Sequence, residues 1–138
     1  MREIGVSYEN GLGVSQDYSH AVTWYRKAAA GGNSDAMVRI GVLSDAGLGV
    51  TKDTTEALVW YRKAAAECNV LGMELLGAAY LHGSGVAQDY QLAFKWFQQA
   101  AAAGDATAMV YVGNSYADGH GTTKDITQAI TWWRKASN

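Results

Sequence analysis

The sequence predicts an all-α fold in which four helix-turn-helix repeats form an α/α solenoid. First, the 138-residue chain matches itself at a shift of 36 residues without an insertion or deletion. Second, each repeat contains a Gly-x-Gly connection followed by an aspartate, and that aspartate stands at the start of a segment with a stripe of apolar residues. In the first repeat the aspartate is Asp17. Third, the chain has no proline and 16 glycines, which suits closely packed helices joined by tight turns. Periods of roughly 20–50 residues are typical of solenoids, whose units bury apolar faces against their neighbours.

The repeated columns set the domain organisation. The connection reads NGLGVSQDY at its first occurrence, then AGLGVTKDT at 46, HGSGVAQDY at 82 and DGHGTTKDI at 118. The columns that recur in every repeat are Gly5, Gly41, Gly77 and Gly113, Ala21, Ala57, Ala93 and Ala129, and Trp24, Trp60, Trp96 and Trp132. We expect one domain, 1–138, whose repeats span 1–32 (truncated at its start), 33–68, 69–104 and 105–138.

The second repeat predicts two helices with clear starts. Asn33 is the expected N-cap of a first helix that runs to about Ala46. Asp53 is the expected N-cap of the second helix, with Glu56 three residues on as a capping-box partner. A glycine-rich turn before a helix can bind phosphate, but the aspartate at this position argues against it. Its carboxylate would occupy the free N–H groups and the positive dipole end that a phosphate needs, so we interpret the connection as a turn plus a cap.

Two repeated features require a packing explanation. Gly41 and its equivalents lie inside the first helix, where glycine costs roughly 1 kcal/mol relative to alanine. We expect close approach of the facing helix at Ala57 and Ala64 as the compensation, and we expect the tryptophan column to lie in the core between helices. Gly31 and Gly104 are expected to end the second helices in the left-handed conformation.

Composition and motifs argue against several function classes. The net charge is −2, which offers no electrostatic footprint for nucleic acid, and no run of apolar residues reaches transmembrane length. No serine has a lysine three residues on, and no Gly-Lys-Ser/Thr follows a glycine loop. His20, His82 and His120 are dispersed over different repeat positions, and Cys68 stands alone. We therefore expect no catalytic residue, no cofactor, no metal site and no membrane insertion.

The repeat resembles the Sel1-like repeat family, relatives of the tetratricopeptide repeats. The matching stretches are RIGVLSDAGLGVTKDTTEALVWYRKAAA and LLGAAYLHGSGVAQDYQLAFKWFQQAAAAG, and the resemblance covers essentially the whole chain. It implies a right-handed α/α superhelix that acts as a non-catalytic adaptor or scaffold and holds proteins or peptides. By resemblance to tetratricopeptide repeats, the first helices line the concave face.

Transferring that face in phase with Gly41 gives the candidate protein-binding residues. They are Arg39, Val42, Leu71, Glu74, Leu75, Ala78, His82, Val110, Tyr111 and Asn114. Equivalent positions differ in chemistry, as Arg39, Leu75 and Tyr111 do, and variable columns suit a recognition surface. The apolar middle with charged residues toward the N-terminal end suits an amphipathic helix or extended peptide. The alternative, which periodicity leaves open, is that some of these leucines pack between neighbouring first helices.

The sequence is also compatible with two other interpretations of the chain. It could be a self-associating structural module, a homodimer through its ends or groove, because neither end carries an obvious polar capping helix. It could equally be a fragment of a larger signalling or envelope repeat protein. As given, the chain has no signal peptide and only one cysteine, which fits the cytoplasm, whereas removal of a signal would fit the periplasm.

Overall fold

The structure is a computed structural model that describes all 138 residues, and it contains eight α-helices and no strand. In chain order the helices are α1 (Arg2–Asn10), α2 (Tyr18–Ala30), α3 (Ser34–Ala46), α4 (Thr54–Ala66), α5 (Val70–His82), α6 (Tyr90–Ala102), α7 (Ala106–Asp118) and α8 (Ile126–Ser137). The predicted all-α repeat fold is confirmed. We call α1, α3, α5 and α7 the odd helices and the others the even helices.

The helices form two compact units, unit 1 (Met1–Gly72) and unit 2 (Met73–Asn138). In unit 1, α1 packs against α2, α2 against α3 and α3 against α4. In unit 2, α7 packs against both α6 and α8. Each unit has its own apolar core. Unit 1 buries Ile40, Leu43 and Leu58, whereas unit 2 buries Leu76 and Val112.

Short acidic or amide side chains begin nearly every helix. The N-capping residues are Asp17, Asn33, Asp53, Asn69, Asp89, Asp105 and Asp125. The predicted caps Asn33 and Asp53 are confirmed: Asn33 accepts from the Ala36 N–H at 2.8 Å and Asp53 from the Glu56 N–H at 2.9 Å. These bonds satisfy donors that a helix start leaves without an intrahelical partner.

The predicted capping box at Asp53 forms only in half. The Asp53 N–H donates to the Ser44 carbonyl at 2.9 Å, so the backbone already satisfies the group that Glu56 would have capped. The Glu56 carboxylate instead lies 3.6 Å from the Arg26 guanidinium and accepts from Trp60 Nε1 at 3.4 Å. A backbone bond of the same kind closes every connection, because the Asp17, Asp89 and Asp125 N–H groups also donate to odd-helix carbonyls.

In two of the connections the second glycine lets the loop touch the preceding even helix. At Gly49 (φ 73°) an added Cβ would collide with the Tyr18 backbone, and at Gly121 (φ 77°) it would collide with the Tyr90 carbonyl oxygen. At Gly13 an added Cβ would meet nothing within 4 Å. The Gly-x-Gly pattern therefore serves packing between a connection and a helix, in agreement with its interpretation as a turn.

The glycines inside the odd helices face aromatic rings rather than the small alanines expected from the sequence. An added Cβ would lie 2.5 Å from the Tyr61 ring at Gly41 and 3.0 Å from the Phe97 ring at Gly77. The expected contribution of Ala57 is limited to its backbone carbonyl, 3.2 Å from the Gly41 position. Each ring thus fills the space that the missing side chain leaves on the odd helix.

The buried aromatic column is therefore one residue beyond the tryptophans. Tyr25 and Phe97 are fully buried and Tyr61 nearly so. Trp24, Trp60, Trp96 and Trp132 are only half-buried, so the expectation that they lie in the core was wrong in degree. In three of these tryptophans, Trp24, Trp60 and Trp132, the ring centroid lies 4.3 Å from the ammonium nitrogen of the lysine three residues further on. Residues three apart on a helix share a face, so the ammonium lies over the ring.

The turn after α2 is shifted by one position from the sequence expectation, whereas the turn after α6 is not. Gly31 has φ −84°, and it is Gly32, at φ 88°, that takes the left-handed conformation. Gly104 does so as expected, at φ 96°. Cys68 holds the same repeat position with φ 58° and is the one non-glycine residue of the chain with a positive φ. Its thiol is free and exposed.

Candidate protein-binding site

The face of the odd helices in unit 1 is occupied by polar groups that pair with one another. The guanidinium of Arg39 lies 3.6 Å from the carboxylate of Glu9. The same carboxylate accepts a short hydrogen bond from the hydroxyl of Tyr25. Burial, then the hydrogen bond and charge of Glu9, raise the pKa of Tyr25 well above its usual value. The Tyr25 hydroxyl and the Arg39 guanidinium thus both pair with the Glu9 carboxylate, and the three side chains form one polar cluster.

A second polar cluster lies at the start of α3. Asp35 accepts from the Arg2 guanidinium at 2.7 Å and from the Asn69 amide at 2.8 Å. Both carboxylate oxygens thus have partners from the neighbouring odd helices or their caps. Of the other predicted residues in unit 1, Val42 is half-buried and Leu71 is 49% exposed.

In unit 2 the corresponding face holds a cavity of about 170 Å³. Its apolar wall consists of Leu81, Phe97 and Tyr111. The rings of Phe97 and Tyr111 are stacked, with centroids 4.3 Å apart and planes 9° from parallel. Phe97 is buried whereas Tyr111 is half-buried, so Phe97 supports the ring that a ligand would meet.

The remaining wall of this cavity is polar. It consists of Asn114, Ser115, Asp118 and His120. Asn114 Oδ1 accepts from Trp133 Nε1 at 3.1 Å, and since an indole N–H can only donate, this bond fixes the amide orientation and leaves its NH₂ group for a ligand. The ring of His120 stacks on Tyr90 at 4.2 Å, which holds it at the edge of the cavity. The Asp118 side chain is exposed and forms no ion pair.

The structure thus brings together two of the predicted binding residues, Tyr111 and Asn114, in one cavity. The other predicted residues of unit 2 do not line it. Glu74, Leu75 and Ala78 are half-buried, and His82 and Val110 are exposed. Burial, then the charge of Asp105, raise the pKa of Glu74 above its usual value.

Sequence reasoning missed Phe97 and His120 as site residues, because Phe97 lies on an even helix and His120 in a connection. A signal was present in the repeat columns. Glu9, Tyr25 and Arg39 of unit 1 correspond, at a shift of two repeats, to Leu81, Phe97 and Tyr111 of unit 2. The two charges and the Tyr25 hydroxyl of the first set are all replaced in the second set, and a joint change of this kind is expected of residues in mutual contact.

The family assignment follows from the repeat itself. A family model described as the Sel1 repeat matches four times, at residues 1–33, 34–67, 70–105 and 106–138. The chain belongs to the Sel1 repeat family. Sel1-repeat proteins are in general protein-interaction scaffolds and are typically of the non-catalytic adaptor type. Among curated proteins no significant match to the chain was found.

Solved structures of bacterial proteins share the fold. A protective antigen present in uropathogenic Escherichia coli, described as displaying an SLR fold, is 37% identical with a TM-score of 0.96, over 99% of this chain and 29% of the antigen. A Sel1 repeat protein from Oxalobacter formigenes is 33% identical with a TM-score of 0.93, over 99% of this chain and 56% of that protein. The Helicobacter pylori cysteine rich protein B is 21% identical with a TM-score of 0.69, over 88% and 87% of the two chains, and shows the fold alone.

These likenesses confirm the predicted all-α repeat solenoid. This chain spans under a third of the Escherichia coli antigen and little over half of the Oxalobacter protein. None of its helices is both long enough and apolar enough to cross a bilayer.

Proposed function

We propose that this chain is a non-catalytic scaffold that binds a protein or peptide on the face of its odd helices, with the cavity of unit 2 as the centre of the site. The observation that carries the proposal is the composition of that cavity. It combines an aromatic wall with a polar rim that contains Asn114 and Asp118. A central pocket for an anchoring side chain, surrounded by polar groups, is typical of protein-binding surfaces.

The size of the cavity supports a protein ligand over a cofactor. Pockets for small molecules and cofactors typically measure about 300–1,000 Å³. The cavity in unit 2 measures about 170 Å³, which suits one amino-acid side chain. The ten predicted binding residues also remain accessible, since each is half-buried or exposed.

The absence of a catalytic role is part of the proposal, and the geometry of the polar wall supports it. Ser115, Asp118 and His120 are the residue types of a serine hydrolase triad, and all three line the cavity. No hydrogen bond joins any two of these side chains, and the ring of His120 is held against Tyr90 instead. An activated serine requires a base within hydrogen-bond reach that is itself oriented by a third group.

The test is selection of peptides from a random library displayed on phage, with the parent chain and two variants as bait. Tyr111→Glu places a charge on the aromatic wall, and we expect it to lose the peptides that the parent enriches. Gln99→Glu, at an exposed position of α6, changes the net charge by the same amount and serves as the control. Circular dichroism confirms that both variants are folded. Enrichment of the same peptides by the parent and Tyr111→Glu would contradict the proposed site.

A second candidate function, self-association, is favoured by the surface of α8. Ile126, Ile130 and Trp133 are 51%, 40% and 37% exposed, an unusual concentration of apolar surface on one helix. Sedimentation velocity on the parent and on Ile130→Glu tests it, with Thr131→Glu as the neighbouring exposed control. A dimer that Ile130→Glu dissociates and Thr131→Glu retains supports self-association, whereas a monomeric parent at high concentration rejects it.

A further inference from the structure

The odd helices of unit 2 carry acidic charge without any basic partner. Over the span from Met73 to His82 and in α7, Glu74 and Asp118 are the charged residues, and neither segment contains a lysine or arginine. Asp105, the N-cap of α7, adds a third carboxylate close enough to Glu74 to act on it electrostatically. The cations of unit 2 are Lys95, Lys124, Arg134 and Lys135, and they lie on the even helices or in the connection before α8.

Within the cavity, Asp118 is the charged group, and it stands beside an aromatic wall. Lys124 is the closest cation along the chain, but it packs its stem near Gly119 and forms no ion pair with Asp118. The half-buried ring of Tyr111 provides a surface on which an aliphatic stem can lie. Aromatic faces also attract cations, an effect that adds to the attraction of a nearby carboxylate.

Unit 1 shows how this face accommodates a basic side chain. At the position equivalent to Tyr111, the chain places its own Arg39, whose guanidinium lies 3.6 Å from the carboxylate of Glu9. Burial and Glu9 raise the pKa of the nearby Tyr25 hydroxyl, and the charge of Arg39 acts in the opposite direction. Unit 2 keeps an aromatic ring at the position of Tyr25, in Phe97, and has a carboxylate in Asp118, but no lysine or arginine lines its cavity. The acid and ring are therefore complementary to a cation from outside the chain.

We propose that the cavity of unit 2 binds the basic side chain, lysine or arginine, of a partner polypeptide. The stem of that side chain lies against the ring of Tyr111, which Phe97 supports from below, and its cationic group pairs with Asp118. The Asn114 NH₂ group, which Trp133 leaves free to donate, meets a carbonyl of the partner backbone. This inference rests on the proposed function, because it names the chemistry of the residue that the peptide-binding face selects.

The experiment uses four short probes on the full chain. Acetylated and amidated peptides Gly-Gly-X-Gly-Gly, where X is lysine, arginine, norleucine or glutamate, are titrated to millimolar concentration against ¹⁵N-labelled protein. The amide signals of Asn114, Ser115 and Asp118 are followed by heteronuclear NMR. We expect lysine and arginine peptides to shift these signals, norleucine to bind about fivefold more weakly, and glutamate to have no effect.

Two charge-matched variants isolate the role of the carboxylate. Asp118→Asn, at an exposed position, is expected to weaken binding of the lysine peptide about two- to fivefold and to remove its salt dependence. Glu67→Gln removes a charge from an exposed position in unit 1 and is expected to leave binding unchanged. Equal binding of norleucine and lysine, no effect of Asp118→Asn, or no shift with any probe would overturn the inference.

The peptide library distinguishes this inference from the proposed function on which it rests. Peptides that need Tyr111 and share a lysine or arginine support both. Peptides that need Tyr111 but share no basic residue leave the binding face intact and reject the basic side chain. Enrichment that does not depend on Tyr111 rejects both.

Discussion

Unit 1 and unit 2 use the same three repeat positions for opposite purposes. In unit 1, Glu9, Tyr25 and Arg39 satisfy one another through a hydrogen bond and an ion pair. In unit 2, the equivalent residues Leu81, Phe97 and Tyr111 carry no charge and instead wall a cavity. The difference teaches that changing the side chains at three repeat positions can either fill this face with paired polar groups or leave a cavity there.

The largest effect is expected where the two units are alike, at the glycines inside the odd helices. Gly77→Leu would push a branched side chain into the Phe97 ring, which lies 3.0 Å from even a Cβ at this position. Overpacking of this kind costs about 3 kcal/mol, and we expect the melting temperature to fall by roughly 10 °C. Gly41→Leu in unit 1 should behave in the same way, because its Cβ would lie 2.5 Å from Tyr61.

Thermal unfolding followed by circular dichroism measures both effects, with Ala103→Leu at an exposed turn position as the control. A melting temperature within about a degree or two of the parent for either glycine variant would reject the ring-to-glycine packing.

The next largest effect on stability is expected from the hydrogen bond that unit 1 has and unit 2 lacks. Tyr25→Phe gives unit 1 the ring of unit 2 and removes the hydroxyl that donates to Glu9. Because Glu9 is half-buried and negatively charged, loss of this donor should lower the free energy of unfolding by about 2 kcal/mol. Tyr61→Phe is the matched variant: the Tyr61 hydroxyl feels the charge of Asp45 without a hydrogen bond to it, so the loss should be less than about 1 kcal/mol. Urea denaturation compares them, and equal losses would contradict the role of the Glu9 hydrogen bond.

The sequence predicted the features that both units share, the helix caps and the helix phase, better than it predicted the cavity of unit 2. Asp53 and Gly41 were placed correctly because capping and helix phase are local properties, read from neighbouring residues. Tyr111 and Asn114 were predicted to share a face for the same reason, and both line one cavity. The cavity itself depends on Phe97 from an even helix and on His120 from a connection. Periodicity along one helix does not reveal which side chain another segment contributes.

Alkaline pH is expected to affect unit 1 more than unit 2, because both tyrosines of the buried aromatic column, Tyr25 and Tyr61, lie in unit 1. Burial and the charge of Asp45 raise the pKa of Tyr61 to about 12, compared with about 10 in an unfolded chain. The folded state thus holds the phenolic proton more tightly, so this stabilisation is complete below pH of about 10 and is lost as the pH rises through about 12.

We therefore expect the urea midpoint of the parent to fall over that pH interval and the fall to be shallower in Tyr61→Phe. Phe97→Leu, which changes the equivalent ring of unit 2, removes no titrating group and should keep the full pH dependence of the parent. Identical pH profiles for the parent and Tyr61→Phe would show that this tyrosine does not contribute.

The smallest effect concerns the turn that ends each even helix. Cys68 holds a left-handed backbone, φ 58°, at the position where Gly32 and Gly104 have φ 88° and 96°. A side chain in this conformation costs about 1 kcal/mol, so Cys68→Gly should stabilise unit 1 by roughly that amount. Gly104→Cys should destabilise unit 2 to a similar degree, because an added Cβ there meets nothing within 4 Å and only the backbone strain is introduced. Urea denaturation of the two variants under reducing conditions therefore measures the same strain with opposite signs. Effects of the same sign would mean that the thiol makes contacts that offset the strain, and the turn would then differ between the units in more than its backbone.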